Sequence, residues 1–120
     1  TRIQHKILGR SYDLSFSFIT DPRMRRLNRL YRHKDATTDI LSFPLSKTSG
    51  EIVISRKESV TKAKDFGMKG ADYVTFLFIH GCLHLKNHKH GRIMERLEDR
   101  WCRAFDIPLP QRNGITHRRD

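Results

Sequence analysis

The residues best suited to chemistry in this sequence are histidines, and most of them are crowded into one short stretch. Of the seven histidines in 120 residues, four lie within positions 80–90: His80, His84, His88 and His90. His80 and His84 are four positions apart, so on a helix both imidazoles leave the same face and can reach one ion. Zinc takes three or four nitrogen, sulfur or oxygen ligands in proteins. The stretch therefore predicts a site for a divalent metal ion.

A third ligand requires the helix to end, because one helix does not easily offer another histidine further along the same face. Asn87 stands three residues after His84, and asparagine tolerates the left-handed conformation that ends helices. After such a turn His90 can fold back over the ion, which gives the spacing of the metzincin HExxHxxGxxH site. The alternative set of His80, His84 and His88 along an unbroken helix would form a surface stripe rather than a closed site.

Two neighbours of the histidines limit the chemistry. Gly81 occupies the place of the glutamate that follows the first metzincin histidine, and that carboxylate is the general base of the protease reaction. The metal-ligand frame is thus present without the proteolytic chemistry.

Cys82 lies about 200° from His80 on a helical wheel, which predicts a buried, inert thiol. Cys82 and Cys102 form no CxxC pair, so we expect no disulfide scaffold and a reducing cytoplasm.

Strands and helices that position these residues can be read from periodicity and from caps. Alternating apolar residues predict a strand at 14–18, and Asp21 and Pro22 predict a helix start as N-cap and first helical residue. The other predicted elements are strands at 40–43 and 52–54, a loop at 44–50, and helices at 59–66, 72–85 and 92–105. We therefore expect one α+β domain over residues 1–110, with a small mixed sheet of about four strands packed against helices. Residues 111–120 are predicted to be a disordered basic tail.

Net charge indicates a polyanionic partner. There are 24 Lys plus Arg against 13 Asp plus Glu, a net charge of +11, which is typical of nucleic-acid-binding domains. No stretch is apolar enough over about 20 residues to cross a bilayer, and no leader pattern opens the sequence, so we expect a soluble protein with no membrane partner. The helix that is predicted to begin at Pro22 carries apolar residues on one face and arginines on roughly the opposite face. The apolar face carries Met24, Leu27, Leu30 and Tyr31, and the basic face carries Arg25, Arg26, Arg29 and Arg32.

Four segments together resemble one family. They are LNRLYRHKD at 27–35, TDILSFP at 38–44, GEIVIS at 50–55, and HGCLHL at 80–85 followed by His90. In order and content they are similar to the YbeY family of bacterial endoribonucleases, over roughly residues 14–105. The resemblance implies a metal-dependent, single-strand-specific endoribonuclease of rRNA maturation and ribosome quality control. It also implies small-subunit rRNA and ribosome-associated proteins as partners, and a cytoplasmic location.

Site residues follow from the resemblance by matching motifs. The three motif histidines correspond to His80, His84 and His90, which are expected to hold one divalent ion per chain, zinc. The family arginine ahead of the TDxLSFP strand corresponds to Arg32, which is expected to act in catalysis. Between the second and third histidines this chain has Asn-His-Lys at 87–89, where the family commonly has Gly-Tyr-Asp.

A mechanism follows from these residue types. A three-histidine zinc keeps one position open for water, whose pKa can approach about 7. Arg32 can fork onto two phosphate oxygens, and Arg25, Arg26 and Arg29 can hold backbone phosphates. Asp39 can either orient a histidine or cap a strand edge or turn.

Two other functions stay open at this point. One is a non-catalytic, zinc-containing RNA-binding module, which needs a fourth protein ligand for which His88 is the local candidate. The other is a metzincin-like zinc peptidase, which Gly81 disfavours. The number of protein ligands separates the first alternative from the enzyme, because a structural zinc site is closed and a catalytic one keeps water.

Overall fold

A computed structural model describes residues 1–112 of the chain as a mixed sheet packed between helices. In chain order the elements are α1 (Arg2–Leu8), β1 (Asp13–Ile19), α2 (Asp21–Arg32), β2 (Ile40–Ser46), β3 (Ser49–Ser55), α3 (Arg56–Asp65), α4 (Gly70–Leu85) and α5 (Arg92–Ala104). Strand β1 is parallel to β3 and β2 is antiparallel to it, in the order β1-β3-β2. The predicted α+β class and mixed sheet are confirmed, with three strands in the described residues rather than about four.

One face of the sheet is covered by α4, which forms the centre of the main core. Ile40, Ile52 and Ile54 are fully buried on this face, and α1, α3 and α5 also pack on α4. Helix α4 is apolar on nearly all sides, as is typical of a helix enclosed by its neighbours. Because α4 packs against the sheet and three helices, the backbone that carries His80 and His84 is fixed within the core.

The opposite face of the sheet carries α2 over a smaller core of three buried residues: Met24, Leu41 and Val53. We expected Leu30 and Tyr31 to share the inward face with Met24, but they are 59% and 64% exposed. Asn28 is buried instead, and its side-chain amide donates a hydrogen bond of 2.8 Å to a backbone carbonyl of the following loop. Helix α2 therefore contacts the sheet only through a narrow band of its surface, and the Tyr31 side chain lies outside this band.

The ends of several elements differ from the sequence prediction. Strands β2 and β3 form a hairpin that leaves only Lys47 and Thr48 as the turn, where we expected a longer loop. Pro44 fits within β2 because β2 is an edge strand, where a missing N–H is tolerated. Thr20, not Asp21, is the N-cap of α2. Helix α1 was not predicted, because two turns are too short for a clear apolar period.

The start of α3 and the C-terminal region also differ. Ser55 caps α3 by accepting a 3.1 Å hydrogen bond from the backbone N–H of Glu58, so this helix begins three residues before the predicted one. Gln111 donates its backbone N–H to the Phe66 carbonyl at 2.9 Å, and Arg112 packs on α5. The remainder of the predicted tail, residues 113–120, lies outside the described residues. No helix within residues 1–112 is both long and apolar enough to cross a membrane.

Candidate functional site

Three of the four clustered histidines converge at the C-terminal end of α4. The ligand nitrogens of His80, His84 and His90 lie within 4.8 Å of one another. Their ring centroids are 4.5, 4.9 and 5.4 Å apart. His88 is not part of this group. The geometry thus brings together the set with metzincin spacing and not the stripe along an unbroken helix.

Asn87 makes the break that returns His90 to the other two histidines. Its φ of 72° is left-handed. The N–H of Asn87 donates to the His84 carbonyl at 2.9 Å, and the N–H of His88 donates to the Leu83 carbonyl at 3.1 Å. These two bonds form a Schellman motif, which satisfies the last carbonyls of a helix and reverses the chain. The role predicted for Asn87 is confirmed.

A buried carboxylate fixes the orientation of His80. The Nδ1–H of His80 donates to Oε2 of Glu98, and both side chains are buried. Because an ionised carboxylate only accepts, this contact places the proton on Nδ1 and leaves the lone pair on Nε2. Nε2 of His80 is buried and has no hydrogen-bond partner among residues 1–112, an unfavourable state unless a ligand binds it. The residues present therefore fit a divalent ion held by imidazole nitrogens.

Arg112 in turn holds Glu98. Its Nη2 donates to Oε1 of Glu98 at 2.8 Å, and its Nη1 donates to Oδ1 of Asp99 at 2.7 Å. Burial opposes the charge of Arg112, but the hydrogen bonds to Asp99 and Glu98 outweigh it and raise its pKa. Arg112, Glu98 and His80 thus form a chain of the kind that fixes the ring orientation of metal-binding histidines.

Glu98 is not among the site residues predicted from the sequence, although its position on α5 carries a signal. Glu98 lies on the buried face of α5, four residues after Met94 and four before Cys102, both of which are buried. A carboxylate on an otherwise apolar stripe needs a buried partner, because an unpaired charge is expensive to bury. The pattern indicates a polar contact, but it does not indicate which residue supplies it.

Asp39, which we considered as a histidine partner, has a different role. It is fully buried, and its Oδ2 accepts a 2.8 Å hydrogen bond from the hydroxyl of Tyr73 on α4. The Lys62 ammonium lies 4.0 Å from its Oδ1. Asp39 therefore ties the start of β2 to α3 and α4, a structural role that neither of the two predicted ones describes.

Gly81 lets α4 pack closely on the sheet. A Cβ at this position would lie 2.8 Å from Oγ of Ser42 and 2.9 Å from Cδ1 of Ile52. The metzincin glutamate would have to extend into this contact, so its absence follows from the packing. Cys82 is buried as predicted, and burial raises the pKa of its thiol to about 12, so the thiol stays protonated at neutral pH.

Arg32 ends α2 and lines a cavity of about 710 Å³. Its Nη1 donates to Oδ1 of Asn28 at 3.3 Å. Burial lowers the pKa of Arg32 and the nearby Asp39 carboxylate acts against that shift, but an arginine stays protonated in proteins. Ser42 of β2 also lines this cavity, but its side chain faces the other side of the sheet, where its Oγ lies close to Gly81 of α4. The cavity lies on the α2 face of the sheet, and α4 with His80 and His84 packs on the opposite face.

The other arginines of the basic face are exposed on α2, as predicted. Nε of Arg25 lies 2.9 Å from Oδ1 of Asp35, and Nη1 of Arg29 lies 3.5 Å from the same oxygen. The hydrogen bond to Asp35 raises the pKa of Arg25, and that bond lowers the pKa of Asp35. Arg26 makes no ion pair within residues 1–112. Asp35 thus offsets part of the positive charge on this face.

Comparison with known proteins gives consistent matches. A family model described as Endoribonuclease YbeY matches residues 2–105. A curated Endoribonuclease YbeY of Carboxydothermus hydrogenoformans is 37% identical over 109 residues, covering 82% of this chain and 76% of that protein. One of Nitratiruptor is 36% identical over 97 residues, covering 75% of this chain and 67% of that protein. A solution structure of a Thermotoga maritima protein has a similar fold, with a TM-score of 0.61 and 23% identity, covering 90% of this chain and 80% of that one.

Proposed function

Because the chain belongs to the YbeY family of endoribonucleases, we propose that it is a metal-dependent endoribonuclease that cleaves single-stranded RNA in rRNA maturation and ribosome quality control. The convergence of His80, His84 and His90 carries this proposal. Within residues 1–112, no fourth histidine, cysteine or carboxylate joins the group. A structural zinc site is closed by four protein ligands, whereas a catalytic site keeps one position open. Three ligands within residues 1–112 are the number that a catalytic zinc site uses, which favours the enzyme over a non-catalytic RNA-binding module.

The three histidines would hold one divalent ion, for which zinc suits the all-nitrogen ligand set. When bound, such an ion supplies Lewis acidity that activates water as a nucleophile near neutral pH. Glu98 keeps the proton of His80 on Nδ1, so that Nε2 can serve as the ligand atom. Arg112 keeps the Glu98 carboxylate in place.

The arginines of α2 would bind the RNA. The planar guanidinium of Arg32 can donate two parallel hydrogen bonds to phosphate oxygens and stabilise the charge that develops as the bond breaks. Its match to the family arginine ahead of the TDxLSFP strand supports this catalytic role, and the cavity that it lines gives room for RNA. Arg25, Arg26 and Arg29 lie exposed on α2 and would contact backbone phosphates. The substrate would be rRNA of the small ribosomal subunit, met in the cytoplasm together with ribosome-associated proteins.

Metal analysis combined with RNA cleavage tests this function. The purified protein is expected to contain about one divalent ion per chain and to cleave single-stranded RNA in preference to a duplex. Treatment with a chelator should abolish cleavage, and adding back zinc should restore it.

A matched pair of histidine variants tests the ligand set. We expect His84→Ala to lose both the ion and cleavage, whereas His88→Ala keeps both. Loss of the ion in His88→Ala, or cleavage at the parent rate by metal-free protein, would contradict the proposal.

A further inference from the structure

The cavity beside Arg32 has the dimensions and aromatic lining of a site for a planar ligand. Its volume of about 710 Å³ falls within the range of roughly 300–1,000 Å³ that is common for small-ligand sites. Tyr31 and Phe43 line it, with ring centroids 4.8 Å apart. Tyr31 is 64% exposed, so its ring is supported by Phe43 while most of its surface stays accessible. Aromatic rings placed in this way stack on nucleobases of single-stranded nucleic acids.

The polar groups of the cavity favour a base with phosphates on either side over an isolated phosphate. Arg23 and Arg32 reach it from α2. Phe43 and Glu51 are register partners on neighbouring strands, so their side chains stand next to each other on one sheet face. Glu51 makes no ion pair within residues 1–112. Its carboxylate repels phosphate and accepts hydrogen bonds from N–H groups, which the edges of nucleobases carry, while the arginines attract the backbone.

We propose that this cavity binds one nucleobase of the single-stranded RNA, stacked on Tyr31, with the flanking phosphates beside Arg23 and Arg32. This inference rests on the proposed function, because it takes RNA as the ligand. The edge strand β2 separates the cavity from α4, because Leu41 and Phe43 face the cavity whereas Ser42 faces α4 at Gly81. A base held here anchors the RNA strand on the α2 face of the sheet, along its β2 edge.

The test measures whether Tyr31 and one base of the RNA contribute to binding through the same contact. Binding of a fluorescently labelled single-stranded RNA to the full chain is measured with chelator present, so that the RNA stays intact. The measurement is repeated with RNAs that lack one base at successive positions. Tyr31→Ala is expected to weaken binding of the intact RNA by about 5- to 100-fold. Removing the base that occupies the cavity should weaken binding to the parent protein but add little to the loss in Tyr31→Ala.

Two further variants separate stacking from general effects. Tyr31→Phe keeps the ring and is expected to bind as the parent does. Leu30→Ala is a matched control on the same helix, because Leu30 is 59% exposed and does not line the cavity. It should bind as the parent does, and thermal melting checks that every variant is folded.

The outcomes distinguish this inference from the proposed function. If the parent binds and cleaves RNA but no missing base couples to Tyr31, the base site is wrong and the endoribonuclease stands. If Tyr31→Ala binds intact RNA as tightly as the parent, the base site is likewise wrong. If the parent neither binds nor cleaves single-stranded RNA, both proposals fail.

Discussion

A half-buried arginine at the end of a helix can stabilise charge that appears only while a phosphodiester bond breaks. If Arg32 acts in this way, Arg32→Ala should lower turnover much more than RNA affinity, because its interaction is strongest in the transition state. Loss of one such donor costs about 2.7–4 kcal/mol, or about a hundredfold or more in rate. Cleavage at saturating RNA, together with binding in chelator, separates the two effects.

Arg26→Ala provides the contrasting variant for this prediction. Arg26 lies on the same helix but is exposed, so its loss should weaken RNA binding and leave the saturating rate almost unchanged. Metal content should stay at the parent level in both variants. A saturating rate for Arg32→Ala equal to the parent rate would show that Arg32 only adds to the basic face.

The carboxylate behind His80 gives a second prediction for single residues. Glu98→Gln keeps the size of the side chain but loses the charge that holds the Nδ1 proton of His80 and pairs with Arg112. Loss of such a partner lowers metal affinity by about 10- to 100-fold. Competition with a coloured chelator measures the affinity directly and does not depend on RNA cleavage.

Asp99→Asn is the matched control for Glu98→Gln. Asp99 also accepts a hydrogen bond from Arg112, at 2.7 Å, but it does not belong to the histidine group. We expect the metal affinity of the Asp99→Asn variant to stay within a few-fold of that of the parent. Equal affinities in the parent and Glu98→Gln would mean that His80 is oriented by packing alone.

For the elements, the close approach of α4 to the sheet determines which residues α4 can carry. Gly81→Glu introduces the glutamate that metzincins have at this position, but it forces the new side chain against Ser42 and Ile52. A buried charge without a partner destabilises a fold by several kcal/mol. We expect Gly81→Glu to lower the melting temperature strongly or to prevent folding, and to create no peptidase activity.

Gly70→Glu is the control on the same helix. Gly70 lies in the first turn of α4, and a Cβ there would meet no atom within 4 Å. A glutamate near a helix N-terminus also interacts favourably with the helix dipole, so the melting temperature should stay close to that of the parent. A stable Gly81→Glu variant would show that α4 can move away from the sheet.

For the whole molecule, the net charge of +11 should make RNA binding depend strongly on salt. Replacing Arg25, Arg26 and Arg29 together with alanine should weaken binding to all sequences alike. For single strands the slope of log affinity against log salt should flatten by about 0.7 for each phosphate that the variant no longer neutralises. Titrations of RNA binding at several salt concentrations measure this slope.

Asp35→Asn tests the same surface in the opposite direction. Asp35 pairs with Arg25 and Arg29, so removing its charge should make both arginines more available and strengthen RNA binding. If the slope of log affinity against log salt is the same in the parent and in the variant that lacks Arg25, Arg26 and Arg29, this face of α2 does not contact RNA.

Much of the site was determined by local sequence. The spacing of His80, His84 and His90 and the helix-ending tendency of Asn87 depend on backbone geometry within about three turns of chain. The arginine face of α2 likewise follows from helical periodicity. Such features need no knowledge of distant contacts, and the structure brings the three histidines together after a left-handed Asn87.

Tertiary structure alone decided what surrounds these residues. Glu98 is 18 positions from His80, and Arg112 is 14 positions beyond Glu98. Their contact exists only because α5 packs on α4. The cavity exists only because α2 lies along one sheet face, where Tyr31 meets Phe43 from β2. Helical periodicity assigned Tyr31 to the inward side, but the narrow stripe by which α2 rests on the sheet leaves it exposed. Periodicity gives the faces of a helix, whereas the packing of its neighbours decides which part of a face is buried.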